Sequence, residues 1–189
     1  FAVKSNSAAP IVRSLAALGA GADIVSGAEL VVAMGCGIPP SRIVWSGVAK
    51  TDDEIDRALL AGGEGVDAIH VESVEEIRRV GERANALKRQ ARIAFRIKPG
   101  LDVASTGTHA HITTGHDEAK FGIAEGDVRD ALDVLRSNPA IELVGVTVHA
   151  GSQVTSLAPY LASAAIVFDV VLGLEGDLRK HLRYVDTGG

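Results

Sequence analysis

Short β-branched runs alternate with helix-patterned segments along the whole chain, and this alternation limits the fold more than any other feature. "FAVKS" precedes a helical pattern over 8–18, "ADIVS" one over 28–34, "RIVWSG" one over 52–61 and "DAIHVES" one over 74–88. "RIAFRIKPG" then leads into a long polar loop and a helix over 126–136, "LVGVTVHAG" into a helix over 157–174, and "RYVDTGG" supplies a seventh strand after the sixth helix. Thr51 with Glu54, and Ser73 with Glu76, have the spacing of capping boxes that open the third and fourth helices. Gly19, Gly35 and Gly62 stand where helix C-caps belong.

Strict βα alternation requires a parallel sheet with right-handed crossovers, which leaves an open doubly wound sheet or a closed eight-stranded barrel. No Gly-x-Gly-x-x-Gly follows the first strand, so the dinucleotide-binding form of the open sheet is disfavoured. The expectation is an α/β fold: a (β/α)8 TIM-type barrel with seven strands visible over 1–189, cut before strand eight and therefore a partial barrel from a longer protein. Composition agrees, since 47% of residues are hydrophobic but only 4% aromatic, as suits aliphatic strands under alanine-rich helices. A net charge of −5 without a basic cluster gives no footprint for nucleic acid, and no apolar run approaches the roughly 20 residues that span a bilayer. With the single cysteine Cys36 there is no internal disulfide, and the expected location is the cytoplasm. A small molecule is the expected partner.

In such barrels chemistry gathers at the C-terminal ends of the strands. Lys4 ends the first strand; Asp23, Ser26 and Glu29 lie at the end of the second and the turn after it. Arg96 falls late in the fifth, His149, Gly151 and Ser152 end the sixth, and Gly188 and Gly189 end the seventh. Each alone has a plainer reading: a solvated lysine, a structural histidine, an Arg96–Glu29 ion pair, a glycine turn. Together they offer an amine able to form a Schiff base, a flat imidazole, a carboxylate, a guanidinium and a Ser/Gly turn with donors for a phosphate. Those are the parts that hold pyridoxal phosphate.

The loop "GLDVASTGTHAHITTGHDEAKFG" supports a rival, since His109, His111 and His116 offer imidazoles to zinc, two of them on one face of an extended chain. No further ligand set accompanies them, so no metal site is assigned. A loop of this length suits a substrate or cofactor lid. His70 within its strand and His181 before the last strand read as structural, and Cys36 as packing near a helix end.

"FAVKSN", "GADIVSGAEL", "IVWSGVAKTDDEI", "FRIKPG", "THAHITTG", "KFGI", "VHAGSQV" and "VDTGG" resemble, in that order, the segments of the diaminopimelate decarboxylases, a family of alanine-racemase-like, fold type III pyridoxal-phosphate enzymes. The resemblance covers essentially the whole chain. It implies a (β/α)8 barrel followed by a C-terminal β-domain that is absent from these residues, in a homodimer. It further implies that Lys4 is the lysine that bonds the cofactor, that His149 stacks on its ring, that Ser152 contacts its phosphate and that Gly188-Gly189 begins the phosphate loop. Asp23, Glu29 and Arg96 match polar residues of the cofactor pocket, while His109 and Lys120 fall in motifs near the site and the dimer contact. His109-Ala110-His111-Ile112 stands where the family commonly has His-Pro-Tyr-Ile. The family's glutamate for the pyridine nitrogen, its Glu-Pro-Gly-Arg segment, its partner-supplied cysteine and its C-terminal tyrosine have no counterpart here, and Cys36 does not match that cysteine.

The implied reaction of the full-length protein is decarboxylation of meso-diaminopimelate to L-lysine. Alternatives are decarboxylation of arginine, ornithine or a related amino acid, a barrel that binds pyridoxal phosphate without turnover, and a zinc hydrolase built on the loop histidines. By itself the 189-residue piece is expected to be inactive.

Overall fold

Six parallel strands lie side by side in chain order, each paired with the one before it, as the computed structural model shows for residues 1–100, 121–151 and 156–188. They are β1 (Ala22–Ile24), β2 (Ile43–Trp45), β3 (Ala68–Val71), β4 (Ala91–Lys98), β6 (Ile141–Val148) and β7 (Tyr184–Asp186). The two-residue β5 (Ile123–Ala124) pairs with β4 beyond the point where β3 stops opposite Phe95. A doubly wound sheet reverses its strand order at a switch point, and this one does not. Sequential order in a single direction is that of a TIM-type barrel, here a parallel half-barrel.

Among the described residues the helices are α1 (Ala9–Ala17), α2 (Gly27–Gly35), α3 (Asp52–Leu60), α4 (Val74–Leu87), α5 (Val128–Ser137), α6 (Ala158–Gly173) and α7 (Gly176–His181). The first six match the patterned segments to within about two residues, and α7 is one more than the sequence pattern predicts. Thr51 and Glu54 form a complete capping box on α3. Ser73 accepts from the Glu76 N–H, but the Glu76 carboxylate turns away from it to Lys50 and the Glu72 N–H, so the box on α4 is half made. Gly35 is the last residue of α2, not its cap; Gly37 (φ +95°) takes the left-handed position beyond Cys36.

The core is aliphatic, with Trp45 and Phe95 its largest fully buried side chains. β3 is buried on both faces, as a strand between helices and a barrel interior must be. "FAVKS" does not form the full strand expected. It makes a single parallel bridge, Ala2 to Asp23, before Val3–Ser5 turns into a 3-10 helix. Among the described residues only β1 borders it, so its ladder is that bridge, the Asp23 N–H bonded to the Phe1 carbonyl (2.8 Å) and the Phe1 amino group bonded to the Gly21 carbonyl (3.0 Å).

One irregularity places the site. Ile93 pairs with Leu143 but Ala94 pairs with Gly145, so Val144 is an extra residue in β6 and the alternation of faces shifts beyond it. The shift creates an aligned row, His70–Ala94–Gly145–Tyr184, across β3, β4, β6 and β7. Two residues further along stands a second row, Arg96–Thr147–Asp186.

Candidate active site

The second row, together with His70 of the first, lines a cavity of about 320 Å³ at the C-terminal ends of the strands, a volume suited to a small organic ligand. Lys4, Asp23, Arg96, His149 and Gly188 line it, so five of the eight residues selected from sequence share one rim. Ser152 and Gly189 lie outside the described residues, as do His109, His111, His116 and Lys120.

Glu29 does not line the cavity. Its carboxylate folds back on its own turn and accepts the Val25 N–H at 2.8 Å, while Ser26 caps the same helix by accepting the Glu29 N–H. Nor does Glu29 pair with Arg96, which donates to Glu72 Oε1 at 2.9 Å and lies 4.9 Å from the centroid of the Phe121 ring. Glu72 is nearly fully buried and holds three elements at once, since it also accepts the Gly47 N–H and the Gly122 N–H, each at 3.0 Å. Behind it Lys50, itself buried, donates to the carbonyls of Gly47 and His70 and to Glu76 Oε1. A buried ammonium with one carboxylate and two carbonyls is satisfied, and it fixes the turn between β2 and α3.

His149 follows β6 directly, beside the glycine turn. Burial holds its imidazole below the ordinary histidine pKa, and the nearby Arg96 and Lys4 charges push in the same direction, so at neutral pH the ring is an uncharged flat surface. Gly188 has φ +78°, and a Cβ there would lie 2.5 Å from the Val148 carbonyl oxygen and 3.0 Å from His149 Cα. Only glycine brings the backbone this close to His149. Its N–H donates to Asp186 Oδ1 (2.9 Å), and Asp186 Oδ2 accepts from the Thr147 hydroxyl (3.1 Å).

Four cavity groups were missed by motif reading: Ser46, His70, Thr147 and Asp186. His70, read from sequence as structural, lines the cavity and centres a chain of hydrogen bonds. Ser46 Oγ donates to Asp23 Oδ1 at 2.6 Å, Ser46 Oγ lies 3.1 Å from His70 Nδ1, and His70 Nε2 lies 2.9 Å from the Tyr184 hydroxyl. A serine has one proton to give and Asp23 takes it, so Nδ1 carries the hydrogen toward Ser46 and Nε2 accepts from Tyr184. Burial lowers the His70 pKa and raises that of Tyr184, which keeps both groups neutral. The available sequence signal was Gly145, a glycine inside an aliphatic strand, which marks a close approach from a neighbour.

Away from the rim, Cys36 caps α2 with its thiol buried 3.5 Å from the Ala9 carbonyl oxygen, and His181 is exposed, 3.6 Å from Glu142. No helix among the described residues is long and apolar enough to cross a membrane, and those residues contain no cluster of three or more metal-binding side chains.

The whole chain, residues 1–189, matches the family described as "Pyridoxal-dependent decarboxylase, pyridoxal binding domain". It is 43% identical over 189 residues to the diaminopimelate decarboxylase of Zymomonas mobilis and 40% identical over 190 residues to that of Pseudomonas fluorescens. All of this chain is covered in both comparisons, but only 43% and 44% of the relatives. Among solved structures, the diaminopimelate decarboxylase of Helicobacter pylori complexed with L-lysine superimposes with a TM-score of 0.86 at 37% identity, covering 100% of this chain and 46% of that one. The chain thus spans less than half the length of the relatives it matches. A parallel half-barrel with a lysine, a half-buried neutral histidine and a glycine turn around one cavity, matched over its full length, makes this chain a member of the pyridoxal-dependent decarboxylases, in their pyridoxal-binding domain.

Proposed function

We propose that the full-length protein decarboxylates meso-diaminopimelate to L-lysine with pyridoxal 5′-phosphate, and that residues 1–189 supply the cofactor side of the site. The observation that carries this reading is the meeting of Lys4, His149 and Gly188 around one cavity at the strand ends. The donor set fits the cofactor: an exposed primary amine, a flat imidazole kept neutral by burial, and a turn where any side chain larger than hydrogen would strike the Val148 carbonyl. When bound, pyridoxal phosphate supplies the electron sink for the pair left behind as CO2 departs.

The chain's own residues have separable tasks in this reading. Lys4 holds the cofactor and, as the amine at the mouth, exchanges places with the substrate amine. His149 offers a planar, uncharged face to a ring, and Arg96, held by Glu72 and Phe121, keeps a fixed positive charge at the rim. Gly188, with Gly189 and Ser152, is the proposed phosphate end, and Asp23 supplies a carboxylate beside the Lys4 segment. Diaminopimelate is favoured over arginine or ornithine because the relatives from Zymomonas and Pseudomonas bear that activity in their names and the Helicobacter enzyme was solved with L-lysine. We further read the full-length protein as a cytoplasmic homodimer in which a β-domain follows the barrel.

The test uses the full-length protein loaded with pyridoxal phosphate and offered meso-diaminopimelate, arginine and ornithine in parallel. Release of CO2 and L-lysine from the first alone is expected, with Lys4→Ala abolishing both turnover and the visible absorbance of the bound cofactor. Turnover of arginine or ornithine in its place would overturn the substrate assignment. Cofactor binding with no turnover of any amino acid would leave a binding protein.

A further inference from the structure

We propose that Ser46, His70 and Tyr184 act as one positioning unit for the cofactor site, fixing the Asp23 carboxylate beside the N-terminal segment that carries Lys4. The proposal rests on the cofactor reading above and goes beyond it, because the resemblance assigns no role to any of the three: Ser46 falls within "IVWSGVAKTDDEI" without one, and His70 and Tyr184 lie outside the segments that carry it.

The barrel interior is shaped for this chain of bonds. His70 and Tyr184 stand on strands with two others between them, which in a flat sheet would separate their backbones by roughly 14 Å. Their ring centroids are 6.1 Å apart, because the sheet is curled and the intervening positions in the row are Ala94 and Gly145. A Cβ on Gly145 would lie 2.6 Å from the Tyr184 ring, so the missing side chain is where that ring rests. Tyr184 thereby reaches across β6 and β4 to hold Nε2 of His70, and this fixes the proton on Nδ1, where it points at Ser46. With its oxygen engaged by His70, the Ser46 hydroxyl aims its one proton at Asp23 Oδ1.

Asp23 is the end of the chain that matters to the site. Its backbone forms the only bridge of the Lys4-bearing segment among the described residues, at Ala2, and its N–H holds Phe1. Its carboxylate and the Lys4 amine line the same cavity. Without Ser46 that carboxylate would turn about its own side-chain bonds, and a site needs its charges fixed to within a fraction of an ångström.

Ser46 and Tyr184 both bond to His70, on opposite ring nitrogens, and not to each other. Two residues with unrelated structural roles have additive effects, whereas two ends of one chain do not, because cutting either end already releases Asp23. The experiment is a double-mutant cycle on pyridoxal phosphate affinity, measured by titrating the cofactor-stripped full-length protein and following the visible absorbance, with thermal melting as the check on folding. Ser46→Ala and Tyr184→Phe each remove a single oxygen. Each is expected to weaken affinity by about 3- to 10-fold, the range of one hydrogen bond. The double variant is expected to be no weaker than the worse single to within about 2-fold, and Ser46→Thr, which keeps the hydroxyl, to stay near the unaltered value.

Singles without effect, a double equal to the product of the singles, or a Ser46→Thr protein as weak as Ser46→Ala would each overturn the unit. If Tyr184→Phe does not fold, the comparison of Ser46→Ala with Ser46→Thr decides the matter alone. An unaltered protein that binds no pyridoxal phosphate overturns the cofactor reading itself, whereas normal binding with additive variants overturns only the unit.

Discussion

His70 Nε2 and the Tyr184 hydroxyl lie 2.9 Å apart although β4 and β6 run between their strands. The contact exists because side-chain size along the row falls to a methyl at Ala94 and to nothing at Gly145, letting the two large residues at the flanks lean together over the gap. Gly145→Ala should therefore be destabilising in a strand where alanine is ordinarily preferable to glycine. The added methyl meets aromatic carbons at 2.6 to 2.9 Å, and overpacking of this kind costs about 1–3 kcal/mol. Denaturant unfolding of the full-length protein checks it. In a Tyr184→Ala background the same change should become neutral or stabilising, and a persisting loss there would mean that the ring is not what Gly145 accommodates.

Lys50 is the second buried element of the rim. Its side chain is 2% exposed and its ammonium pairs with Glu76 at 3.0 Å, while two backbone carbonyls take its remaining protons. Lys50→Met keeps the length of the side chain but leaves the Glu76 carboxylate buried against one fewer cation. Removing one member of such a pair costs about 3–5 kcal/mol. Chemical denaturation of Lys50→Met should show a loss of that size; a loss under about 1 kcal/mol would mean that water or a rearranged Arg79 takes over.

The contrast between these two networks and the motif residues shows what sequence carries. Strands and helices were legible because aliphatic runs and 3.6-residue periodicity are local properties, and Thr51 with Glu54 was legible because a capping box closes within four residues. Lys4, Asp23, Arg96 and His149 could be placed on one rim because each stands late in or just after a strand-like run of a parallel barrel, although the run before Lys4 closes into a 3-10 helix. Glu29 also stood at a strand end, yet its carboxylate found a partner four residues away at Val25, a choice fixed by one turn's local geometry. Ser46, His70, Thr147 and Asp186 depend on register across strands as far apart as residues 46 and 186, and the single extra residue Val144 decides how Thr147 and Asp186 meet the first two. A bulge inside "LVGVTV" leaves no mark in hydrophobicity. "FAVKS" has a strand's composition, but strand length depends on neighbours, and among the described residues it has one.

Glu54 joins two helix starts. One carboxylate oxygen accepts the Gly27 N–H at the start of α2, and the other accepts the Thr51 N–H and hydroxyl at the start of α3. The Thr51 backbone bond, then the Gly27 bond, hold its pKa below the ordinary carboxylate value of 4.5. A carboxylate with a depressed native pKa contributes stability that is present above the unfolded value and lost as pH falls through the native one. Glu54→Gln should thus lower stability at pH 7 by about 1 kcal/mol, the scale of a lost cap, with the gap to the unaltered protein closing below pH 4.5. Unfolding midpoints at pH 7 and pH 3.5 decide it, and a gap that stays constant would remove the carboxylate charge from the explanation.

His70 imposes a dependence of the same sign in a higher pH window. Burial lowers its native pKa below the ordinary 6.5, and protonation at Nε2 would also require Tyr184 to turn its hydroxyl proton away. A histidine kept neutral in the native state binds a proton more readily once unfolded, so the unfolded state gains protons first as pH falls. Stability should therefore decline below pH 6.5, with this residue contributing a slope of up to about 1.4 kcal/mol per pH unit until the native ring itself titrates. Above pH 6.5 the term vanishes. His149 is shifted in the same direction, by burial first and then by Arg96 and Lys4, so the two add in one window. Unfolding free energies of the cofactor-stripped full-length protein between pH 8 and pH 5 should fall less steeply for His70→Asn than for the unaltered protein. In Tyr184→Phe, which leaves Nε2 without its donor, the native ring protonates more easily and the decline should end at a higher pH. A slope that neither substitution changes would show that burial does not lower the native pKa of His70, and would remove the neutral ring from the explanation.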